Sequence, residues 1–531
     1  MTVIGIDVLG FLVVAPAIAA LILLLLPQNK TVARWTALTF ATIICGVSVA
    51  TFFAYNSVAS GYQLEVQVPW FELLGASWHI GIDGISASMV LLTGILLPLA
   101  VLISFEIEDR VNTHMALILF FATGLFGTFV ALDLMIFFLF YELSLVPMYF
   151  IINQWGGPNR KYASTKFFIY SLGGSLGMLL ATQLIGITAG TFDIPTLVTE
   201  TGRWINLQPE GGLFLGIDIS TVKALSFLGF FIAFCIKVPV WPFHTWLPDA
   251  HSEAPTAGSM LLAGVMLKLG AYGFLRLVIP LFPDVWVSEI NIFGVFSANW
   301  AHIFAVLSVL GIVLGAFAAF GQTDIKRLVA YSSVNHMGFV ALGLAVTALV
   351  YSEQFMAGGT SLFNHDAILA TNGAVMQMFN HGLSSAGMFL LAGAIYHKTH
   401  TRDMTQYGGL WVKAPIYGGI FIFTSMASLG LPGLNGFVSE FLVVRGAWSV
   451  FTVLTVISML GLLFTGGYIL KGIRSVLHGP FNLHWRDYHL EIELREFVAI
   501  APLMILMLIT GIAPNWILSV INATVTRILG G

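Results

Sequence analysis

Four ionisable side chains lie deep inside apolar stretches of this 531-residue chain. They are Glu142 in FFLFYELSLVPMYF, Lys237 in FIAFCIKVPVW, Lys268 in LLAGVMLKLGAYGF and Glu440 in GLNGFVSEFLVV. A charge at the bilayer centre costs at least about 2.5–3.5 kcal/mol on insertion scales, so a spanning helix rarely keeps one without a use for it. Two acids and two bases at such depth point to a proton or ion route. Glu142 follows Asp133 by about 13 Å of helix and Lys237 follows Lys223 by about 21 Å, which puts both well inside a membrane. Their helices are separated by one other, so the two side chains can meet. An acid and a base balanced in a low-dielectric interior exchange a proton at small cost when their separation changes. The alternative is a static pair that locks two helices.

Lys268 has no acid in the apolar part of its own helix and needs a partner from another. Glu440 follows GLPGLNG (430–436), where glycine and proline loosen the helix and let water or another backbone approach. His336 (YSSVNHMGFV) and His381 (MFNHGLSSAG) sit inside apolar spans near Ser332, Ser333, Ser384 and Ser385. Histidine titrates near neutral pH and can pass protons between lysines; the competing role is a hydrogen-bonded core group. His244 and His251 flank a WLPD turn, where helix capping and proton entry are both open. Lys166 and Lys223 read as interfacial, with their stems snorkelling.

The elements that must position these groups are membrane helices. Hydrophobic residues make up 58% of the chain and charged residues 9%, against about 25% charged in a soluble domain. Apolar runs of bilayer length predict an all-α polytopic membrane protein of about fourteen spans. They fall near 3–26, 33–54, 84–105, 114–131, 133–153, 162–187, 222–244, 254–278, 299–320, 327–350, 371–396, 412–445, 449–473 and 496–520. Span 7 is interrupted by KVPVWP (237–242) and span 12 by GLPGLNG. Pro239 and Pro242 remove backbone donors and free carbonyls beside Lys237. The first span lacks the basic flank of a cleavable signal peptide and is expected to remain.

Basic residues cluster after odd-numbered spans: Lys30 and Arg34, Arg110, Arg160 and Lys161, Lys326 and Arg327, Lys398, Arg402 and Lys413, then Lys471, Arg474, Arg486 and Arg495. The positive-inside rule therefore places those connections in the cytoplasm and both termini outside. Arg203, Arg276 and Arg445 run against the pattern. FIYSLGGSLGMLLA (168–181) aligns without gaps on FNHGLSSAGMFLLA (379–392), and each copy precedes a broken helix. Paired interrupted helices in two halves point to an ion or substrate path.

Other chemistries find no motif. GxGxxG after a strand, a P-loop, CxxC and HExxH are all missing. Cys45 and Cys235 lie in apolar spans, so neither disulfides nor a cysteine-held cluster is expected. Neither a cofactor, a metal nor nucleic acid is expected on this chain.

At this point the chain resembles a known family. IKVPVWPFHTWLPDAHSEAPTAGSMLLAGVMLKLGAYGFLR (236–276), QTDIKRLVAYSSVNHMGFV (322–340), LPGLNGFVSEF (431–441) and WGGPNRKYASTKFFIYS (155–171) are similar to the antiporter-like subunits of respiratory complex I. Glutamate at 440 is the mark of the M branch, because the sibling branches L and N, and the large subunits of multisubunit sodium/proton antiporters, typically carry lysine there. The resemblance implies Glu142 and Lys237 as a coupling pair, Lys268 as the central lysine, His336 and His381 as connecting groups and Glu440 as the distal exit. It also implies two inverted five-helix repeats: N-terminal spans 1–3 over 1–110, spans 4–8 over 111–280, spans 9–13 over 281–478, and span 14 in 479–531. The expected partners are other membrane-arm subunits, especially the neighbouring chains L and N, together with the lipid bilayer. Flavin and iron–sulfur clusters are expected in partner subunits, and the location is the bacterial inner membrane. Three alternatives remain open: a subunit of a sodium/proton antiporter, a quinone-binding subunit and a structural spacer. The polar segment 351–370 (YSEQFMAGGTSLFNHDAILA) has no assigned role.

Overall fold

A computed structural model of the protein describes residues 7–199, 204, 213–214, 216–292, 296–358 and 364–530. Arg203, one of the charges against the orientation pattern, lies outside them. Twelve helices are long and apolar enough to cross a membrane. They are spans 1 (Val8–Leu25), 2 (Lys30–Ala54), 3 (Gly84–Glu106), 4 (Val111–Val130), 5 (Leu134–Trp155), 6 (Arg160–Ala189), 7 (Ile219–Lys237), 8 (Thr256–Leu281), 9 (Trp300–Gly321), 10 (Ile325–Ala357), 13 (Thr452–Leu477) and 14 (Leu494–Ile512). Two more complete the fourteen. Span 11 (Asn364–Thr399) carries Asn372, Gln377, Asn380 and His381 in its buried stretch, and these polar residues dilute its hydropathy. Span 12 is split into Pro415–Leu429 and Asn435–Val450.

Both interruptions fall where proline and glycine put them. Span 7 ends at Lys237 and resumes as a short helix, Trp246–Glu253. That second half begins beyond the boundary read from hydropathy at 244, because WLPDAHSE is too polar to register as membrane helix. Gly430, at φ +83, closes the first half of span 12 in the left-handed region that glycine adopts without strain.

The structure corrects one expectation and adds detail to two others. Segment 351–370 is mainly helix: span 10 runs to Ala357 and span 11 starts at Asn364, which places Asp366 3.1 Å from Arg445. Lys166 pairs with Asp249 at 2.7 Å and Lys223 lies 3.7 Å from Asp284. The all-α architecture holds, with short two-stranded hairpins in some connections. Antiparallel hairpins join Gln63–Phe71 to Ala76–Ile82, Leu213–Phe214 to Ile217–Asp218 and Glu289–Ile292 to Phe296–Asn299. All three follow even-numbered spans.

Spans 8 and 10 are buried along their whole apolar windows, whereas only a third of the windows of spans 2, 13 and 14 is buried. Lys268 and His336, on these two spans, therefore sit on an inner layer. Spans 8 and 11 cross closely there: a Cβ on Gly382 would lie 2.8 Å from the Gly264 carbonyl oxygen.

On the face bearing the even-numbered connections, Arg276 of span 8 is buried and ion-paired with Asp83. Asp83 also caps span 3 through the Ile85 and Ser86 amides. Tyr272 ties the same knot to span 4, its hydroxyl 2.8 Å from Ser86 Oγ and donating to the Phe129 carbonyl at 2.9 Å. Arg276 thus breaks the loop-charge pattern as one half of a neutralised pair. Asp83→Ala would strand a buried guanidinium, and losing one partner of a buried pair costs about 3–5 kcal/mol. The expected outcome is a lower melting temperature of the purified protein in detergent, with Asp83→Ala/Arg276→Met less destabilised than Asp83→Ala alone.

His79 clasps the first hairpin. Its Nδ1 lies 2.6 Å from Asp193 Oδ1 and its Nε2 2.8 Å from Glu65 Oε1. Burial opposes charge on the ring, but the two carboxylates outweigh it and the His79 pKa is raised. Burial also disfavours the Asp193 carboxylate, yet His79 and Thr196 hold its pKa below the ordinary value. The histidine contribution to stability is complete below the ordinary histidine pKa and disappears as pH rises through the raised folded value. The aspartate contribution disappears in the opposite direction, as pH falls through its lowered value. Hydrogen exchange of the hairpin amides, corrected for intrinsic pH dependence, should accelerate as pH rises through the histidine range. His79→Gln should flatten that response.

Candidate functional site: a buried polar row

Lys268 is completely buried at the centre of span 8. Its α-helical segment, Leu267–Gly273, is flanked by two π-helical stretches, Leu262–Met266 and Phe274–Val278. A π-turn widens the helix and frees a carbonyl from the usual ladder, and such turns recur at functional sites. Here Lys268 Nζ hydrogen-bonds the Ala263 carbonyl, five residues back, and lies 2.8 Å from His381 Nδ1 on span 11. Gly264 and Gly382 make that approach possible. An ammonium at Lys268 donates to both partners only if the His381 ring is neutral with its proton on Nε2.

The His336 ring centroid is 5.7 Å from that of His381. Its Nδ1 lies 2.7 Å from Glu440 Oε1, which also accepts from Gln377 Nε2 at 3.0 Å. Its Nε2 faces Ser428 Oγ at 3.3 Å and Tyr468 OH at 3.4 Å, and Tyr468 OH is 2.8 Å from Ser332 Oγ. The loop that breaks span 12 brings Ser428 and Glu440 to this point from opposite sides. Asn380 and Asn435 stitch span 11 to the second half of span 12. Asn380 Nδ2 donates to the Asn435 carbonyl at 2.7 Å and Asn435 Nδ2 to the Asn380 carbonyl at 3.0 Å. Three of the candidate groups, His336, His381 and Glu440, are thus gathered with Lys268 into one cluster. Polar networks in a low dielectric reinforce one another when every member is satisfied.

Glu142 and Lys237 are arranged differently. Lys237 is buried at the last helical residue before the break, and its Nζ lies 4.4 Å from the centroid of the Tyr141 ring. Neither Lys237 Nζ nor Glu142 Oε1 has a hydrogen-bond partner. The two charges nonetheless lie within electrostatic reach, with Ser175 beside the carboxyl. Span 5 is irregular just after Glu142. Leu134–Leu143 and Leu145–Trp155 meet at Ser144, because Pro147 supplies no amide to the Leu143 carbonyl. Lys237 therefore sits at a break, and Glu142 precedes a one-residue irregularity in a helix that continues through Ser144 in αR geometry. Gly270 packs against Lys237, since a Cβ there would lie 2.9 Å from the lysine Cβ. Span 8 therefore packs against the base of the Lys237 side chain two residues from Lys268, without a direct hydrogen bond between the two lysines.

Gln377, Ser428 and Tyr468 were not anticipated from sequence. Gln377 could have been, because it precedes His381 by one helical turn and shares its face. Ser428 and Tyr468 carried no such signal. His251 was expected either to cap a helix or to admit protons, and capping is excluded: both ring nitrogens lack hydrogen-bond partners.

The chain matches the family described as NADH:quinone oxidoreductase/Mrp antiporter, TM, over residues 131–465. It is 40% identical over 514 residues to NADH-quinone oxidoreductase subunit M of Pseudomonas aeruginosa, covering 94% of this chain and 92% of that one. The subunit M of Escherichia coli K12 is 40% identical over 511 residues, again with 94% and 92% covered. Among solved structures, respiratory complex I from Thermus thermophilus with bound NADH contains a similar chain. The TM-score is 0.81 at 26% identity, covering 99% of this chain and all of the other. The Mrp complex from Dietzia shares the fold at TM-score 0.78 and 22% identity, with 99% of this chain and 52% of that one covered. With the broken spans, the central lysine and the glutamate at 440 all in place, the chain belongs to the NADH:quinone oxidoreductase/Mrp antiporter transmembrane family.

Proposed function

We propose that this chain is a proton-translocating membrane-arm subunit of an NADH:quinone oxidoreductase and performs no electron transfer itself. The observation that carries this reading is the row of titratable groups inside the spans: half-buried Glu142 within electrostatic reach of buried Lys237 at the span 7 break, Lys268 hydrogen-bonded to His381, and His336 hydrogen-bonded to Glu440. Quinone reduction in a partner subunit would alter the separation of Glu142 and Lys237. In a low dielectric that separation sets the cost of the lysine charge, so widening it releases a proton and narrowing it recaptures one. Lys268 passes its proton to His381 Nδ1, the ring releases another from Nε2 toward His336, and His336 delivers to Glu440.

In this reading spans 4–8 and 9–13 are two inverted repeats, each containing one broken helix. In the same reading both termini lie outside, which the basic residues in the odd-numbered connections support, and the membrane is the bacterial inner membrane. Chains L and N are the expected neighbours, and flavin and iron–sulfur clusters belong to partner subunits. A sodium/proton antiporter subunit is the nearest alternative, supported only by the shared fold. Glu440 opposes it.

Lys237→Ala in the assembled, reconstituted complex should lower protons pumped and the electron transfer coupled to them at least several-fold. An unchanged number of protons per electron would reject the relay.

A further inference from the structure

The second half of span 7 is too short to hold its own place. It has 8 residues, Trp246–Glu253, and follows the proline-containing break at 237–242. Isolated helices of that length are marginal, so contacts from neighbours must fix it. Two carboxylates one turn apart, Asp249 and Glu253, supply such contacts, and each divides its oxygens between the same two sides. Asp249 Oδ2 accepts from Lys166 of span 6 at 2.7 Å, and its Oδ1 accepts from Arg327 of span 10 at 3.2 Å. Glu253 Oε2 accepts from the amide of Asn159, the N-cap of span 6, at 2.9 Å, and its Oε1 accepts from Arg402 at 3.1 Å. Arg402 in turn lies 3.2 Å from Asp324, the N-cap of span 10. Both acids thus strap the short helix between span 6 and span 10.

These contacts are sheltered. The Glu253 side chain is 6% exposed and that of Asp249 18%, and partly buried pairs are screened by salt far less than exposed ones. The strapped helix reaches Lys237 through one contact. Trp246, one turn before Asp249, donates its indole N–H to the Ile236 carbonyl at 2.9 Å, across the break and next to Lys237. Its ring packs against Phe167 of span 6, the neighbour of Lys166, with centroids 5.3 Å apart. A shift of span 6 relative to span 10 therefore pulls on the short helix, and Trp246 passes the displacement to the backbone beside Lys237. Because Lys237 Nζ has no hydrogen-bond partner, the backbone is what sets its distance from Glu142.

We propose that Asp249 and Glu253 are positioning residues: they set the place of Lys237 by strapping the second half of span 7 to spans 6 and 10. The inference rests on the relay reading and adds to it the element that carries helix movement to the lysine charge. Neither acid carries a proton in this role. Removing one of them frees that turn of the short helix from both sides at once. The cost of the Lys237 charge depends on its distance from Glu142, and that distance is then no longer tied to spans 6 and 10. A role confined to fastening makes a different statement: fewer complexes assemble, and each assembled copy pumps natively.

The test uses Asp249→Asn, Glu253→Gln and Trp246→Phe in the complete, reconstituted complex, with proton pumping and its pH profile measured per assembled copy. We expect assembled copies of all three to pump several-fold less with a displaced pH profile, and Asp249→Glu, which keeps the charge, to recover much of the loss. Trp246→Phe alters no charge and keeps an aromatic ring against Phe167, so a displaced profile in that variant reports movement of Lys237. Native pumping with a native profile in assembled Asp249→Asn and Glu253→Gln would overturn the inference. Native behaviour of Trp246→Phe beside impaired acid variants removes the link to Lys237 and equally overturns it. If neither acid variant assembles, Trp246→Phe decides in the same way. Lys237→Ala, measured alongside, separates the two levels. Pumping lost in Lys237→Ala but native in the other variants rejects the strap alone. Pumping unchanged in Lys237→Ala rejects the relay on which it rests.

Discussion

The contact on which the rest of the structure depends is the 2.8 Å hydrogen bond between Lys268 and His381. It joins span 8 to span 11 and therefore links the part of the row that contains Glu142 and Lys237 to the part that contains His336 and Glu440. Two local features make it possible. Gly264 and Gly382 allow the helices to cross backbone to backbone, and the π-turn before Lys268 frees the Ala263 carbonyl as its second partner. Neither feature stabilises a membrane helix by itself. Both are explained by the need to hold an amine in a dry interior with somewhere to place its protons.

The two ends of the row are built on opposite principles. Around Glu440 every group has a neighbour: His336 and Gln377 reach the same carboxylate oxygen, and Ser428 and Tyr468 face the other side of the His336 ring. Around Lys237 the groups are held near one another without a direct hydrogen bond between acid and base, and neither Lys237 Nζ nor Glu142 Oε1 has a partner. A well-connected network is stiff and holds its geometry, whereas an acid and base not hydrogen-bonded to each other, with the base at a helix break, respond strongly to small displacements. The first suits passage of protons along a fixed path, and the second suits conversion of movement into a change of charge.

Much of this was legible in the residues. A lysine or glutamate in an apolar run announces itself, so Glu142, Lys237, Lys268 and Glu440 could be placed at depth, and proline and glycine located both broken spans. Hydropathy failed where polar residues are buried inside protein instead of facing lipid. The second half of span 7 and the start of span 11 were therefore read too short, and 351–370 was taken for a polar connection. The first hairpin had a signal in the alternation of Leu64, Val66 and Val68, which the surrounding apolar runs overshadowed. The π-turns had none, because their register is set by what Lys268 must reach. The pairing of Lys268 with His381, across 113 residues of chain, depends on helix crossing and could not be read from either segment alone.

Replacing Lys268 by methionine tests the central claim most directly, since it keeps an unbranched apolar stem one atom shorter than lysine and removes its charge and donors. In the assembled, reconstituted complex, protons pumped and electrons transferred would be measured together. The account predicts that both fall at least several-fold while assembly is retained. Pumping and electron transfer both at native levels would contradict it, because the lysine that bonds His381 at the centre of the row would then be dispensable.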